Sequence, residues 1–239
     1  MSNFAIENKL NNLIPIIYPI MKDKSGIEAA LLYKILPCNE IDSSELVKNA
    51  YKVFYDGCIP NSSDTIFNAL IPLKDFCVFK LFQLSKVNKC CYPLYNGTFR
   101  KDLYGLIYLY LDDIFYGYDE LRQLFDEFCN LMYSFSNFMP VPPYFNGSKN
   151  TKGKGTWELN KDYPFLYLQN LKDKNSLIYN RQSNLQWLNE NMDKYKVKNM
   201  YKLEPPYEVM QEYYNDNKKE ALAEFVKKAI YLIKKRFED

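Results

Sequence analysis

The chain has 239 residues, enough for one large domain or two small ones. Its formal charge of +2, from 31 basic and 29 acidic residues, argues against a general nucleic-acid coat. It contains no apolar run of the roughly 18 residues that a membrane-spanning helix needs, and its N-terminus lacks a basic segment followed by an apolar one. We therefore expect a cytoplasmic protein with no membrane partner.

The absence of histidine further limits the kinds of catalytic and metal site that the chain could form. It excludes Ser-His-Asp and Cys-His nucleophiles and every histidine-ligated metal. An enzyme built from this chain would need carboxylates with Mg²⁺, or Lys, Tyr, Cys or Arg chemistry. We assign no catalytic residue and no metal ligand, and we expect no cofactor.

The six cysteines, none of them in C-x-x-C spacing, are expected to be free and mostly buried thiols. The abundance of Tyr, Asn, Lys and Ile indicates an AT-rich genome and hence a low-GC bacterium or its phage.

Apolar periodicity predicts a series of helices along the chain. Pro15, Pro37, Pro72 and Gly57 interrupt or end several of them. A capping-box pattern at 42–45 predicts one helix start, and Asn217 with Glu220 predicts another. The 73–84 run is ambiguous between helix and strand. The expected elements are 5–21, 27–36, the helix after 42–45, an element opened by 61–64, the 73–84 run, 102–116, the helix after Asp119, 157–171, a short helix at 185–188, 206–214, and the last helix after Asn217.

Two neighbouring segments are expected to form the core. Residues 102–116 are apolar nearly all round, which is typical of a central helix. The next helix is capped by Asp119 and repeats Leu121, Phe125 and Phe128 on one face. Residues 137–147 follow with three prolines, and we expect this extended aromatic strap to pack across the domain.

A glycine- and lysine-rich loop occupies 146–156. It departs from the G-x-x-x-x-G-K-[ST] phosphate loop, because Lys152 stands five residues after Gly147 and Gly155 follows Lys154. The favoured interpretation is a solvated loop. The alternative is a mobile basic loop that closes over a phosphate or an acidic partner.

Charge is unevenly distributed along the chain. Residues 101–130 carry a net −5 and residues 149–202 a net +6. The two regions are expected to attract each other within the fold, although the basic one could instead be a contact face. Asp119 and Asp126 lie seven apart on one helix side, so a carboxylate–Mg²⁺ site is an alternative to a solvated acidic face. Lysines on the last helix are likewise interpreted as an exposed face with some ion pairing.

The segment 136–140, followed by Pro143, 145–146, a basic loop and 161–162, resembles an uncharacterised bacterial domain family. That family carries a Gly-Asn-Phe-x-x-x-Pro core, and residues 61–66 are similar to its upstream Ser-Ser-Asp-Ser-Ile element. The resemblance covers about residues 60–190, with Ser136 in place of the glycine and Lys149 in place of an arginine. It implies no activity. It implies that Asn137, Asn146 and Asp162 form a shared structural or ligand-contacting unit.

We therefore predict an all-α fold, a single multi-helix domain over residues 1–239 with its only soft boundary in 146–156, and a strap over 136–161 that wraps outside. The predicted function is non-enzymatic protein binding in a bacterial or phage system, as a defence component or an inhibitor of one. The alternative is a Mg²⁺-dependent enzyme acting on nucleic acid or nucleotides through the basic 149–202 face. The expected partner is another protein, with nucleic acid as the alternative. The candidate binding residues are Asn137, Asn146, Lys149, Lys152, Lys154, Asp162 and Arg181.

Overall fold

The computed structural model describes residues 23–35, 44–55, 57, 63–88, 100–142, 168, 171–173, 181–203 and 216–238. In these ranges the chain forms eight α-helices, a two-stranded sheet and two single-turn 3₁₀ helices, which confirms the all-α class. The helices are α1 (Gly26–Ile35), α2 (Glu45–Phe54), α3 (Leu70–Asn88), α4 (Arg100–Leu109), α5 (Leu111–Ile114), α6 (Asp119–Met132), α7 (Arg181–Asn191) and α8 (Asp216–Lys235). The strands are β1 (Ser63–Thr65) and β2 (Phe138–Pro140), and the 3₁₀ turns are Phe135–Asn137 and Met200–Lys202.

Several predicted elements fall outside the described residues. They are 5–21, most of 157–171, the 206–214 helix and the 146–156 loop. The single-domain organisation stays a prediction. None of the helices in the described ranges is both long and apolar enough to cross a bilayer.

Helix α1 packs against α4 and α6. Ser25 precedes it and forms a reciprocal cap with Glu28: the Ser25 hydroxyl accepts from the Glu28 N–H, and the Glu28 carboxylate accepts from the Ser25 N–H. This Ser-x-x-Glu spacing is a capping box that the sequence already contained and that our prediction overlooked. A Cβ on Gly26 would lie only 2.1 Å from the Asp126 carbonyl oxygen. The close approach of α1 to α6 therefore requires glycine at this position.

Gly26→Ala is expected to destabilise the protein by about 1–3 kcal/mol, because the added methyl must push the two backbones apart. Gly105 on α4 is the matched control, since a Cβ there meets nothing within 4 Å. Gly105→Ala should stabilise by about 0.5–1 kcal/mol through helix propensity alone. Urea unfolding of both variants tests the pair, and equal effects at the two glycines would contradict this account.

The prediction of a fully buried central helix over 102–116 is wrong, because this region forms α4 and α5 with exposed side chains on one side. Tyr110 interrupts the helix, with φ −109° and ψ 20°, and the segment is amphipathic. Ile107, Leu111 and Ile114 are buried in the core. Leu109 and Tyr116 point outward, with 75% and 87% of their surface exposed.

The region before α3 also differs from the prediction. The element opened by 61–64 is a strand, β1, which pairs antiparallel with β2 in the register Ser63–Pro140, Asp64–Met139 and Thr65–Phe138. Helix α3 begins at Leu70 and includes Pro72. Proline is tolerated in a first helical turn because its missing N–H would have no intrahelical partner there. The ambiguous 73–84 run is helical.

Three further predictions agree with the structure. Ser44 caps α2 by accepting from the Val47 N–H at 3.3 Å, and Gly57 follows this helix with a φ of +83°. The short helix predicted at 185–188 is part of α7. Helix α8 buries the predicted apolar face, although it begins one residue before Asn217, so Asn217 does not cap it. That face is Leu222, Phe225, Val226, Ala229, Ile230 and Ile233.

Helix α6 and the strap lie in the middle of one connected cluster of buried side chains. The helix buries its predicted face at Leu121, Phe125, Phe128 and Met132. Its N-cap residue is Tyr118, so Asp119 lies in the first turn and does not cap the helix as predicted. The described part of the strap, 136–142, is buried apart from Ser136. This part packs inside the fold, as expected for residues 137–147, so the prediction that the strap wraps outside is wrong for residues 137–142.

Candidate functional site

Asn137 lies at the centre of the strap and is completely buried. Its side-chain oxygen accepts from the Phe67 N–H at 2.9 Å, and its side-chain nitrogen donates to the Phe67 and Met132 carbonyls at 2.7 and 2.8 Å. Its own carbonyl accepts from the Ile66 N–H at 2.7 Å. The amide therefore joins the end of β1 to the end of α6, and all its bonding groups are occupied by backbone.

This geometry brings together two of the segments that carry the family resemblance. Residues 63–66 pair with 137–140, so the Ser-Ser-Asp-like element and the Asn-Phe core are direct neighbours. Of the three residues that the resemblance joins in one unit, Asn137 has a structural role. Asn146 and Asp162 lie outside the described residues.

Arg236 holds the same segment from the opposite side. Arg236 is 5% exposed, and its guanidinium donates to the carbonyls of Tyr195, Ser136 and Phe138 and, at 3.5 Å, of Phe135. It also donates to the Tyr55 hydroxyl at 3.3 Å. Burial lowers the pKa of the guanidinium from its usual value, with nearby tyrosines acting in the opposite direction.

No carboxylate accepts from Arg236 within the described part of the chain, so backbone dipoles stabilise the buried cation. Sequence reasoning missed this residue because it follows Lys234 and Lys235 and looks like part of a solvated basic end. The signal that would have found it is its spacing, three residues after Ile233 and seven after Ala229, on the buried face of α8.

Arg181 is the other candidate binding residue that the structure describes. It is the first residue of α7 and is half-buried. One guanidinium nitrogen donates to the Leu171 carbonyl at 2.7 Å and the other to the Gln182 side chain at 3.1 Å. The remaining candidates, Lys149, Lys152 and Lys154, lie outside the described ranges.

Of the two residues considered for a Mg²⁺ site, Asp119 is exposed in the first turn of α6 and Asp126 binds a backbone N–H. Asp126 accepts from the Ile27 N–H at 2.9 Å and so completes the start of α1. Asp112 pairs with Arg122 at 2.7 Å. Across the described ranges, no group of three or more cysteine or carboxylate side chains is placed to hold a metal ion.

The lysines of α8 are not a free basic surface. Lys227 and Lys234 reach across to Glu120 and Glu127 on α6, while Lys228 pairs with Glu224 and Lys235 with Glu238. Their hydrogen bonds hold the pKa values of Glu120 and Glu224 below the usual range. Lysines of α8 thus contact the acidic 101–130 region. The two regions are too far apart in sequence for a local pattern to predict this contact. Tyr231 lies among these ion pairs and is 60% exposed.

A second outward-facing set lies on α4–α5 and the turn that follows. We call Leu109, Asp112, Asp113 and Tyr116 the acidic–aromatic face. They are spaced i, i+3, i+4, i+7 in sequence, and all four are exposed. Other side chains of the same segment are buried, namely Ile107, Leu111, Ile114 and Phe115. The sequence signal was the Asp-Asp pair, which marks the solvent side of an otherwise apolar segment.

The two cysteines in the described ranges, Cys77 and Cys129, are buried free thiols, as predicted. Burial raises the pKa of each well above its usual value. A thiol in this state is a poor nucleophile, because the thiolate is the reactive form.

No protein-family model matches the chain, and neither a curated protein nor a solved structure shows significant similarity to it. The resemblance to the bacterial family with the Asn-Phe core therefore stays a prediction from its motifs.

Proposed function

We propose that this protein works by binding another protein, and that the acidic–aromatic face is the contact surface. The observation that carries the proposal is the exposure of Leu109 and Tyr116, at 75% and 87%, at the end of α4 and just after α5. Tyrosine is enriched among the residues that dominate binding energy at interfaces. Leu109 ends α4 and Tyr116 follows α5, so the two anchors flank a short helical turn.

The charges of this face define the chemistry of the partner. Asp113 and Asp112 lie between the two apolar anchors, and Arg122 neutralises only Asp112. A partner that fits would present an apolar recess bordered by lysine or arginine. Opposite charge would speed the encounter and set its orientation more than it would raise affinity.

The finer parts of the proposal rest on composition alone. They are the bacterial or phage setting, the role in defence or its inhibition, and the cytoplasmic location. The pairing of Lys227, Lys228, Lys234 and Lys235 with carboxylates makes the second half of α8 a poor contact for a polyanion. No observation in the described ranges favours the Mg²⁺-dependent enzyme.

Leu109→Ala combined with Tyr116→Ala is expected to weaken partner binding at least tenfold, because each lost anchor typically costs more than about 1 kcal/mol. Both side chains are exposed, so the fold should change by less than about 0.5 kcal/mol. Capture from host lysate, with and without nuclease treatment, identifies the partner by quantitative mass spectrometry and nucleic-acid recovery for wild type and variant. Titration of the purified partner then gives the affinity.

Val53→Ala combined with Tyr231→Ala is the matched control, since these are the other large exposed apolar side chains in the described ranges. The control should bind as wild type does. A partner lost in the control and kept in the double variant would place the contact elsewhere. Recovery of RNA or DNA in place of a protein would overturn the proposal and favour the nucleic-acid alternative.

A further inference from the structure

Tyr118, at the junction between α5 and α6, is contacted by two ammonium groups. The Lys80 Nζ lies 4.0 Å from the centre of the Tyr118 ring and donates to its hydroxyl. The Lys219 Nζ lies 4.8 Å from the same ring centre. Helices α3 and α8, which are distant in sequence, thus bring two positive charges to the Tyr118 side chain.

The partners of these two lysines differ from those of the other α8 lysines. Lys227, Lys228, Lys234 and Lys235 each have a carboxylate within ion-pair distance. Lys80 has only neutral partners in the described ranges: the Tyr118 hydroxyl, the Gln83 side chain at 3.3 Å, and the Phe76 and Tyr118 rings. Lys219 has the Tyr118 ring, and it contributes to lowering the pKa of Glu120, whose carboxylate Lys227 already holds.

The Tyr118 hydroxyl adds a third donor. Since it accepts a hydrogen bond from Lys80, its own proton is directed elsewhere, and no acceptor for it is present in the described ranges. The Tyr118 ring makes an edge contact with Phe76, with 5.5 Å between the two ring centroids. Two ammonium groups and one hydroxyl therefore meet at one half-buried tyrosine, and the carboxylate near Lys219, that of Glu120, is already held by Lys227.

We propose that Lys80, Tyr118 and Lys219 form a binding site for a phosphoryl group. Two ammonium groups act as point charges with rotatable donors, which suits a tetrahedral dianion better than the planar fork that a carboxylate prefers. The anion would neutralise the repulsion between the two lysines, and the Tyr118 hydroxyl would donate to one of its oxygens. The chemistry is shared by free phosphate and by a phosphomonoester. This site is separate from the acidic–aromatic face and does not depend on its role.

Inorganic phosphate is the first probe, added to the full chain at constant ionic strength with sodium chloride as the balance. Phosphate should raise the melting temperature of the wild type in a saturable way. Lys80→Gln and Lys219→Gln should each weaken phosphate binding at least tenfold, as measured by titration calorimetry. Tyr118→Phe keeps the ring and removes the hydroxyl, and should weaken binding about threefold to tenfold, the effect of one hydrogen bond.

Lys228→Gln is the control, because it removes a lysine of α8 that already has a carboxylate partner. It should bind phosphate as wild type does. A response to phosphate that is the same in all four variants, or that sodium chloride reproduces, would overturn the proposal. Adenosine monophosphate supplies the second arm. Tighter binding than phosphate, lost in the lysine variants, supports an ester as the natural ligand, and weaker binding supports the free anion.

Discussion

Replacing Arg236 by methionine is expected to destabilise the fold by about 3 kcal/mol or more, since each buried carbonyl left without a donor costs about 1–3 kcal/mol. The carbonyls that lose their donor are those of Tyr195, Ser136 and Phe138. Removing the buried charge offsets part of this cost. The net effect is still large, because a methionine of similar length fills the space and satisfies none of the carbonyls.

Guanidinium chloride unfolding measures this effect, with Lys235→Met as the matched control. Lys235 precedes Arg236, is exposed and pairs only with Glu238, so its replacement should change stability by less than about 0.5 kcal/mol. Arg236→Lys should fall between wild type and the methionine variant, because an ammonium keeps the charge and cannot span all the carbonyls. Equal stability of Arg236→Met and wild type would show that the guanidinium does not hold the strap.

Asn137→Asp is the second large perturbation, and its effect depends on pH. The carboxylate has the shape of the amide but cannot donate to the Phe67 and Met132 carbonyls, which lie 2.7 and 2.8 Å from the side-chain nitrogen. Burial beside two carbonyl oxygens disfavours the ionised form, so the pKa of the new carboxyl rises above the ordinary value of about 3.9. At pH 7 the expected cost is about 3–5 kcal/mol, as for other uncompensated buried charges.

The sign of the pH dependence follows from that raised pKa. A group whose pKa is higher in the folded state than in the unfolded state binds more protons when folded, so stability falls as pH rises through the folded-state pKa. The stability difference between wild type and Asn137→Asp should therefore grow from pH 4 to pH 7. Asn189→Asp, at an exposed position on α7, should show a flat difference. A flat difference at Asn137 as well would mean that its carboxyl stays solvated.

The elements that the sequence predicted well are those whose apolar spacing is regular. Helices α6 and α8 bury the faces that i, i+3, i+4, i+7 repeats select, because a helix with one apolar stripe has one favourable orientation against a core. The capping pattern at Ser44 also predicted a start correctly, since that bond is local. These predictions depend on neighbours within a few positions along the chain.

The failures occurred where distant residues decide the structure. The sequence pattern did not assign a strand to the element opened by 61–64, and pairing with β2 makes residues 63–65 a strand, which is a choice made by tertiary context. The strap over 136–161 was expected to wrap outside the helices, and its described part, 136–142, is instead buried apart from Ser136. Its buried position depends on Asn137 and Arg236, which supply the hydrogen bonds that the strap backbone needs.

The candidate site was predictable only in part. Asn137 was identified through its motif, although its contacts show a structural role. The acidic–aromatic face was not predicted, because the sequence of residues 102–116 is apolar nearly all round. The two sides of the segment are distinguished by the solvent exposure of their side chains. The convergence of Lys80 and Lys219 on Tyr118 joins residues 38 and 101 positions from that tyrosine, and no local pattern encodes such a meeting.

The position of Arg236 in the chain also determines when the strap can be completed during synthesis. The backbone carbonyls that it binds precede it by between 41 and 101 residues. A ribosome delivers those carbonyls first, and water must satisfy them until α8 emerges. Contacts across such separations cost loop-closure entropy before they form any bond. We therefore expect the strap to form late in folding. A nascent chain that stalls before α8 would leave the strap without the hydrogen bonds from Arg236.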